Sequence, residues 1–276
     1  MSKLNSKITV PISVCVTTKN NEDTIEKCLS SVYGWVDEIV VVDSQSTDET
    51  IHICEKYDSN IYQKEFHGFG DIKESTIQEA DNDWVLILDA DEWVSEDLKE
   101  EIVQEYNQGG FKENHAYLIK KKNKMFGRWM HIDHPERPLL AEKDSIYYRG
   151  EYIHEHLSVK DESVETARLT NKISHVAYDR VSEKIEKINQ YASLQALQYV
   201  NENEPNRLWF MYRSIGAFFY YYVYSKGILD GYQGFIYAIL ESAQVLLCYQ
   251  KMSELKNLRN EVSDWEETWL SLEGRR

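Results

Sequence analysis

Two aspartates separated by one residue are the strongest chemical signal in the sequence. Asp89 and Asp91 follow the apolar run 85–88, so a buried strand ending in a turn would bring both carboxylates to one end of a sheet. Carboxylate oxygens are ligands that Mg²⁺ and Mn²⁺ prefer, and a cation held by one or two of them keeps positions open for phosphate oxygens. An acidic helix cap at an ordinary turn is the alternative interpretation of this pair.

Another carboxylate, further towards the N-terminus, also stands at the end of an apolar run. Asp43 follows the run 39–42 and precedes Ser46 and Asp48. In this position Asp43 can accept hydrogen bonds from a pyrimidine imide or a ribose hydroxyl, and a following helix N-terminus offers N–H groups to a ligand. Capping of that helix by Ser46 and Asp48 is the alternative function of the cluster.

The elements that must position these carboxylates alternate between strand-like and helix-like patterns. This alternation predicts a parallel sheet with crossover helices. Because the carboxyl ends of parallel strands face one crevice, we expect the polar segments 17–20, 43–44 and 89–91 to converge there. The predicted strands are residues 12–17, 39–42, 60–63 and 84–88.

The pattern changes in the remainder of the chain. Short alternating runs between residues 115 and 178 predict antiparallel edge strands and loops. After Asp179 the apolar residues recur at helical spacing, and the segments 208–224 and 235–249 are rich in apolar and aromatic residues. Both segments are short for a membrane span and contain Arg213 or Glu241, so helices packed on each other, on a second subunit or on a membrane surface fit better.

Composition limits the class of protein. The 276 residues include 31 Lys and Arg and 47 Asp and Glu, a net charge of −16 that argues against a nucleic-acid partner. With 42% hydrophobic residues the chain is a globular protein. Four scattered cysteines and polar residues 1–7 fit neither a disulfide framework nor a signal peptide. We expect a cytoplasmic location, with peripheral contact at the inner face of the membrane as an open alternative.

The order and spacing of these motifs resemble a known enzyme family. Segments 17–20, 42–48, 68–70 and 84–93, together with Lys73, are similar to the motifs of family 2 inverting glycosyltransferases. The chain is most similar to the lipopolysaccharide-core β-1,4-glucosyltransferase-like branch of that family. Further similarity to this branch lies in segments 127–129, 137–140, 152–155, 174–178 and 187–191.

This resemblance implies a fold, an activity and partners. The implied fold class is α/β, with a GT-A-type, Rossmann-like nucleotide-sugar-binding domain at 8–180 and a C-terminal α-helical appendage at 181–276. The implied reaction moves a hexose from a nucleoside-diphosphate sugar, foremost a UDP-sugar, with help from Mg²⁺ or Mn²⁺. The acceptor class is a saccharide, an envelope glycan, a lipid-linked glycan or a peptide. From their aromatic composition, and not from the resemblance, the C-terminal helices are candidates for membrane-surface contact or for a homodimer interface.

The resemblance also assigns roles to individual residues. Thr17, Asn20 and Asp43 match positions that contact the nucleoside, and Lys73 matches a basic position near the donor. The family carries two aspartates separated by one residue, the DxD motif. Asp89 matches the first of these aspartates, which is usually close to the ribose. Asp89 is also a candidate to assist the metal through water. Asp91 matches the metal ligand. Glu74 stands where relatives commonly have Asn, which puts the local donor contacts in doubt.

The remaining assignments concern the proton acceptor and the diphosphate. An inverting transferase needs a carboxylate that takes the acceptor proton, and Glu155 lies where the resemblance places a His-Glu pair. His154 is a candidate to complete the metal shell or to contact the diphosphate. Asp133 is the second candidate for the base, and a surface position on an edge strand is the other interpretation of Glu155. Arg128 and Arg137 are candidates for bidentate contact with the diphosphate or for ordinary surface ion pairs.

Two other function classes stay open from the sequence. A non-catalytic nucleotide-sugar-binding or assembly protein would keep Asp43 and Asp91 without a working base. A nucleotidyltransferase also uses carboxylates and a metal on a similar sheet. It ranks lower because residues 17–21 lack the Gly-rich basic loop of that class.

Overall fold

The computed structural model describes residues 9–66, 68–113, 115–149, 156–202, 206–265 and 268–269. Their strands are β1 (Val10–Thr18), β2 (Val36–Asp43), β3 (Asn60–Gln63), β4 (Trp84–Asp89), β5 (Glu92–Trp93), β6 (His115–Ile119), β7 (Lys121–Met125), β8 (Arg128–Trp129), β9 (Arg137–Glu142), β10 (Ile146–Arg149), β11 (His156–Val159), β12 (Glu165–Arg168) and β13 (Ile173–Tyr178). Their α-helices are α1 (Ile25–Val32), α2 (Thr50–Glu55), α3 (Phe69–Gln78), α4 (Glu96–Asn107), α5 (Val181–Glu202), α6 (Arg207–Phe219) and α7 (Gly231–Glu261).

These elements divide into two compact units. The first unit contains the described residues up to Lys122 together with His134–Val176. The second contains Asn123–Asp133 and the described residues from Ala177 onward. The first unit therefore holds most of the strands, and the second holds the three long C-terminal helices.

A seven-stranded mixed sheet forms the centre of the first unit. Its strand order is β12-β6-β9-β4-β1-β2-β3, with β1 parallel to both β2 and β4. The register sets Thr17 beside Asp89 of β4 and Thr18 beside Asp43 of β2. The predicted convergence of three polar segments at the carboxyl ends of neighbouring strands is thus confirmed.

The central strands are apolar on both faces because helices and loops cover both sides of the sheet. Val14, Val40 and Leu86 are fully buried, and α1 buries Ile25 and Leu29 on its inner face. Each large aliphatic side chain buried in this way contributes about 1.5–3 kcal/mol. The strand ends that carry the polar residues therefore project from a tightly packed core.

Strand β9 corrects one expectation from the sequence. It pairs antiparallel with both β4 and β6, so it lies inside the sheet and not at an edge. Pro138, which cannot donate a ladder hydrogen bond, sits at a register shift in the β6–β9 pairing. The run 138–141 is buried throughout. The pair β10–β11 is antiparallel, as expected.

In the second unit, α5, α6 and α7 share a small hydrophobic core. It includes Ala192 and Ala196 of α5, Phe210 of α6, and Cys248 and Met252 of α7. Helix α6 continues into a π-helical turn, Tyr220–Tyr224, and a 3-10 turn, Gly227–Asp230, precedes α7. A Cβ on Gly234 would lie 1.9 Å from the carbonyl oxygen of Gly227, so the first turns of α7 require glycine at this position.

Across the described ranges, none of the helices combines the length and the apolar character needed to cross a bilayer. All four cysteines are buried and unpaired, in agreement with the absence of a disulfide framework.

Candidate active site

The loops after β1 and β2 are tied to each other. Asn20, in the left-handed region with φ 52°, donates its backbone N–H to Ser46 Oγ at 2.8 Å. Its side-chain oxygen accepts the backbone N–H of Thr47 at 2.8 Å. Asparagine tolerates this backbone conformation better than most residues, which favours it at this position. Two of the three polar strand ends therefore form one hydrogen-bonded unit, with the half-buried Thr17 at its base.

Asp43 is fully buried beneath this unit. Its Oδ2 accepts the backbone N–H of Ser46 at 3.0 Å, and its Oδ1 accepts the Ser46 hydroxyl at 2.5 Å. Ser46 thus forms hydrogen bonds with both Asp43 and Asn20. Asp48 Oδ1 accepts the backbone N–H of Thr50 at the start of α2. A carboxylate has about four acceptor sites, and Ser46 occupies two of those of Asp43.

Asp89, at the end of β4, is held by two lysines. Lys73 Nζ of α3 lies 2.6 Å from Asp89 Oδ1, and Lys121 Nζ of β7 lies 3.3 Å from Asp89 Oδ2. Lys121 also forms an ion pair with Glu92 Oε1, and the backbone N–H of Asp89 donates to Glu92 Oε2 at 3.1 Å. The result is a compact network with two carboxylates and two ammonium groups.

This network shifts the proton affinities of its members. Burial acts to raise the pKa of Asp89, but the charges of Lys73 and Lys121 outweigh it and hold that pKa well below its ordinary value. The pKa of Glu92 is raised, mainly by burial. The charge of Lys121 acts to lower this pKa, but the charge of Asp89 acts with burial to raise it. Burial acts to lower the pKa of Lys121, but Glu92 and Asp89 bring it above its ordinary value. Asp89 is therefore the firmly ionised carboxylate.

Asp91 lies in the turn between β4 and β5 and faces a histidine. Its Oδ2 is 3.4 Å from Nε2 of His175. The pairing of β5 with β13 sets His175 opposite Glu92, and the backbone N–H of Val176 donates to the Asp91 carbonyl at 3.2 Å. Ligand atoms of Asp91, Glu92 and His175 lie within 4.8 Å of one another.

This group of ligand atoms fits a divalent cation. Asp91 and His175 are partly exposed and offer a carboxylate oxygen and an imidazole nitrogen. Glu92 is buried and paired with Lys121, which makes it the least available of the three. Both oxygens of Asp89 face lysines, so the described geometry groups Asp91 with His175 and Glu92, and not with Asp89. His154 lies outside the described residues.

The other predicted residues lie in different places. Arg137, half-buried at the start of β9, is near enough to Lys121 for its charge to lower the pKa of that lysine. Glu155 lies outside the described residues. In the second unit, Arg128 is exposed on β8, and Asp133 Oδ2 accepts Lys226 Nζ at 2.8 Å. The structure therefore groups Lys73, Asp89 and Asp91 in the first unit, near Arg137.

Three residues of the site were not predicted from the sequence. His175 belongs to the segment 174–178 that carried part of the resemblance, but its role was not recognised. Glu92 follows the DxD pair directly and gave no separate signal. Lys121 is the middle one of three consecutive lysines, and a run of lysines is more typical of a solvated surface.

Comparison with known proteins identifies the family. The model of Glycosyl transferase family 2 matches residues 13–165. Because this match covers more than half of the chain, the protein belongs to that family. The strand order and the family together define a GT-A-type α/β fold with a helical C-terminal region.

Two glycosyltransferases and one solved structure illustrate the similarity. An uncharacterised glycosyltransferase of Rickettsia felis is 28% identical over 275 residues, which cover 94% of this chain and 96% of that one. One of Rickettsia conorii is 36% identical over 117 residues, which cover 42% of each chain. A solved structure, S. aureus TarS 1-349 in complex with UDP-GlcNAc, is 17% identical with a TM-score of 0.45, and the match covers 86% of this chain and 81% of that one.

Proposed function

We propose that this family 2 member is an inverting glycosyltransferase that moves a hexose from a nucleoside-diphosphate sugar, foremost a UDP-sugar, to a saccharide or envelope-glycan acceptor. The observation that carries the proposal is the Asp91–His175 pair beside the lysine-held Asp89, at the carboxyl end of β4. Ligands of α/β sheets bind at such strand ends.

The donor would be held by the residues that converge there. Asp91 and His175 would hold Mg²⁺ or Mn²⁺, which when bound neutralises charge on a departing diphosphate. Asp89, kept ionised and oriented by Lys73 and Lys121, is suited to accept hydrogen bonds from ribose hydroxyls. The unit formed by Thr17, Asn20 and Asp43 would take the base and the rest of the nucleoside.

Two further residues would act on the reacting groups. Arg137 would donate to diphosphate oxygens, because a guanidinium binds such oxygens in a bidentate way. Glu155 remains our proposed base, taking the proton of the acceptor hydroxyl on the side opposite the diphosphate. Asp133 is less suited to that role, since its carboxylate is paired with Lys226.

The finer assignments from the sequence remain part of the proposal. They are membership of the lipopolysaccharide-core β-1,4-glucosyltransferase-like branch and the division into a catalytic domain at 8–180 and a helical region at 181–276. A lipid-linked or peptide acceptor, and a homodimer through the C-terminal helices, belong here as well. Unpaired, buried cysteines support the proposed cytoplasmic location.

Calorimetric titration with a panel of donors tests the proposal. UDP-, GDP- and dTDP-sugars are each titrated into the folded protein with Mn²⁺, with Mg²⁺ and with a chelator. We expect one nucleotide class to bind in a metal-dependent manner and to raise the unfolding temperature by mass action. Absence of binding by any donor contradicts the proposal. Donor binding without hydrolysis or transfer to any acceptor supports the non-catalytic alternative.

A further inference from the structure

Helix α6 carries an apolar stripe on its solvent side. Leu208, Tyr212, Ile215 and Phe219 follow each other at steps of four, three and four residues, so they lie on one line along the helix. All four are more than half exposed, with Tyr212 at 75% and Phe219 at 57%. A helix on a protein surface normally presents charged or polar residues on this side.

This stripe is not needed for packing within the unit. The opposite side of α6 makes the contacts with α7, where Phe210 packs against Tyr249 and the Ser214 hydroxyl lies 2.8 Å from that of Ser242. Helix α6 is therefore apolar both on its packed side and on its exposed side.

The apolar surface continues onto α7. Tyr232, Phe235 and Ile239 are exposed on the first turns of that helix. The ring of Phe218 joins the two helices, since its centroid lies 5.4 Å from that of Phe219 and 5.8 Å from that of Phe235. Among the described residues, 16 of the 21 exposed large hydrophobic side chains fall between residues 208 and 247. We call the exposed apolar surface of α6 and the first turns of α7 the aromatic face.

Charge is distributed unevenly between this region and the rest of the chain. Although the protein has a net charge of −16, the segment 207–253 contains only two acidic residues. Both are withdrawn from solvent, because Asp230 is buried against His131 and Glu241 pairs with Lys184. Arg207 and Arg213, on the same helix as the stripe, are exposed. An acidic protein thus presents a region with exposed cations and without exposed carboxylates.

We infer that the aromatic face docks on the surface of a bilayer that contains anionic lipids. Tyrosine and tryptophan suit a boundary with one apolar and one wet side, and Trp209, Tyr212 and Tyr232 are exposed there. Helices that lie in the plane of the interface bind by apolar burial plus attraction between cations and anionic headgroups. A symmetric dimer through the same face would leave Arg207 and Arg213 without acidic partners, since both acidic residues of segment 207–253 are withdrawn from solvent.

Vesicle flotation with the full chain tests this inference without any sugar donor, so its outcome is independent of the transferase proposal. The vesicles contain phosphatidylcholine alone or an equimolar mixture with phosphatidylglycerol. We expect the protein to float with the anionic vesicles, more weakly at high salt because screening reduces the attraction to the headgroups. Light scattering of the free protein measures its oligomeric state in parallel.

Matched variants assign the binding to the aromatic face. The double variant Tyr212→Ser/Phe219→Ser is expected to lower vesicle partitioning by about tenfold or more, because two large apolar side chains no longer enter the interface. Arg207→Gln/Arg213→Gln should reduce the preference for anionic vesicles. Tyr33→Ser, which removes a comparably exposed aromatic ring from the first unit, should change neither. Circular dichroism and thermal unfolding verify that each variant is folded.

Two results would overturn the inference. One is the absence of flotation with either vesicle type by the folded protein. The other is flotation that the Tyr212/Phe219 variant leaves unchanged. A dimer in solution that this variant dissociates, combined with no flotation, would identify a second copy of the chain as the occupant instead.

Discussion

The imidazole of His175 lies 3.4 Å from the carboxylate of Asp91, although the two residues come from distant parts of the chain. Their approach depends on β13 pairing with the two-residue strand β5 directly after the DxD turn. The pairing places a nitrogen donor beside the carboxylates of the turn, so that candidate oxygen and nitrogen ligands for a metal lie together. This relationship gives the metal-dependent proposal its most direct test.

Asp91→Asn and His175→Gln are each expected to weaken Mn²⁺-dependent binding of UDP by about tenfold or more, since even outer partners of metal ligands contribute about 10–100-fold. Calorimetry with and without chelator measures the effect. Asp97→Asn, an exposed acidic residue in the first turn of α4, is the control and should bind as the wild type does. Unchanged metal dependence in both site variants would contradict the assignment.

Lys73→Met tests how Asp89 is held. We expect the free energy of unfolding to fall by about 1–3 kcal/mol, less than for a fully buried pair, because Asp89 is partly exposed and keeps Lys121. Lys64→Met is the matched control, since Lys64 and Glu79 form a 2.8 Å ion pair nearer the surface. That variant should lose only about 0–1 kcal/mol. Urea unfolding measures both, and equal losses would argue against a special role for Lys73.

Ser46→Ala tests the unit formed by the first two strand ends. Its hydroxyl donates to Asp43 and accepts from Asn20, so its loss should loosen both predicted nucleoside contacts. We expect the Kd of UMP to rise about fivefold, which corresponds to one hydrogen bond of about 1 kcal/mol. The ratio of UDP affinities with and without Mn²⁺ should not change. Ser30→Ala on α1 serves as control, and a loss of metal dependence in Ser46→Ala would show that the two parts of the site are not separate.

For a buried ion pair in the second unit, we expect that the stability losses of two single substitutions do not add in the double variant. Lys184 Nζ lies 2.5 Å from Glu241 Oε1, with the side chains 3% and 12% exposed. Lys184→Met or Glu241→Leu alone should cost about 3–5 kcal/mol, because each leaves one buried charge without its partner. The double variant should recover most of that loss, as an apolar pair often replaces a buried ion pair without penalty. Thermal and urea unfolding of the three variants measure this, and additive losses would contradict it.

Tyr117 is expected to contribute to the fall of the unfolding free energy at alkaline pH. Burial, together with a hydrogen bond to Glu105 and its charge, raises the pKa of Tyr117 to about 12 from an ordinary value of about 10. Since the folded-state pKa is the higher one, the contribution of Tyr117 to stability is complete below pH 10 and is lost as the pH rises towards 12. Tyr117→Phe should therefore lose less unfolding free energy than the wild type over this range. Urea unfolding of the variant and the wild type across this pH range measures the difference, and equal losses would contradict the prediction.

Much of the first unit could be predicted from the sequence, because its information is local. Short runs rich in apolar residues define β1, β2 and β4, and each is followed directly by its polar residues. Ser95 stands directly before the acidic turn Glu96-Asp97, a pattern typical of a helix cap, and its hydroxyl accepts the Leu98 N–H. The convergence of Thr17, Asp43 and Asp89 followed from a general property of parallel sheets.

The partners of those residues were decided only by the tertiary structure. Nothing near Asp91 or Asp89 in the sequence points to His175 or Lys121, because strand pairing and sheet packing bring them together from far along the chain. The interior position of β9 was missed for the same reason. A short apolar run has the same sequence pattern whether the strand lies at the edge of a sheet or between two other strands. The aromatic character of α6 was plain in the sequence, but only packing, by burying Phe210 and leaving Tyr212 and Phe219 exposed, determined which side of the helix meets the surroundings.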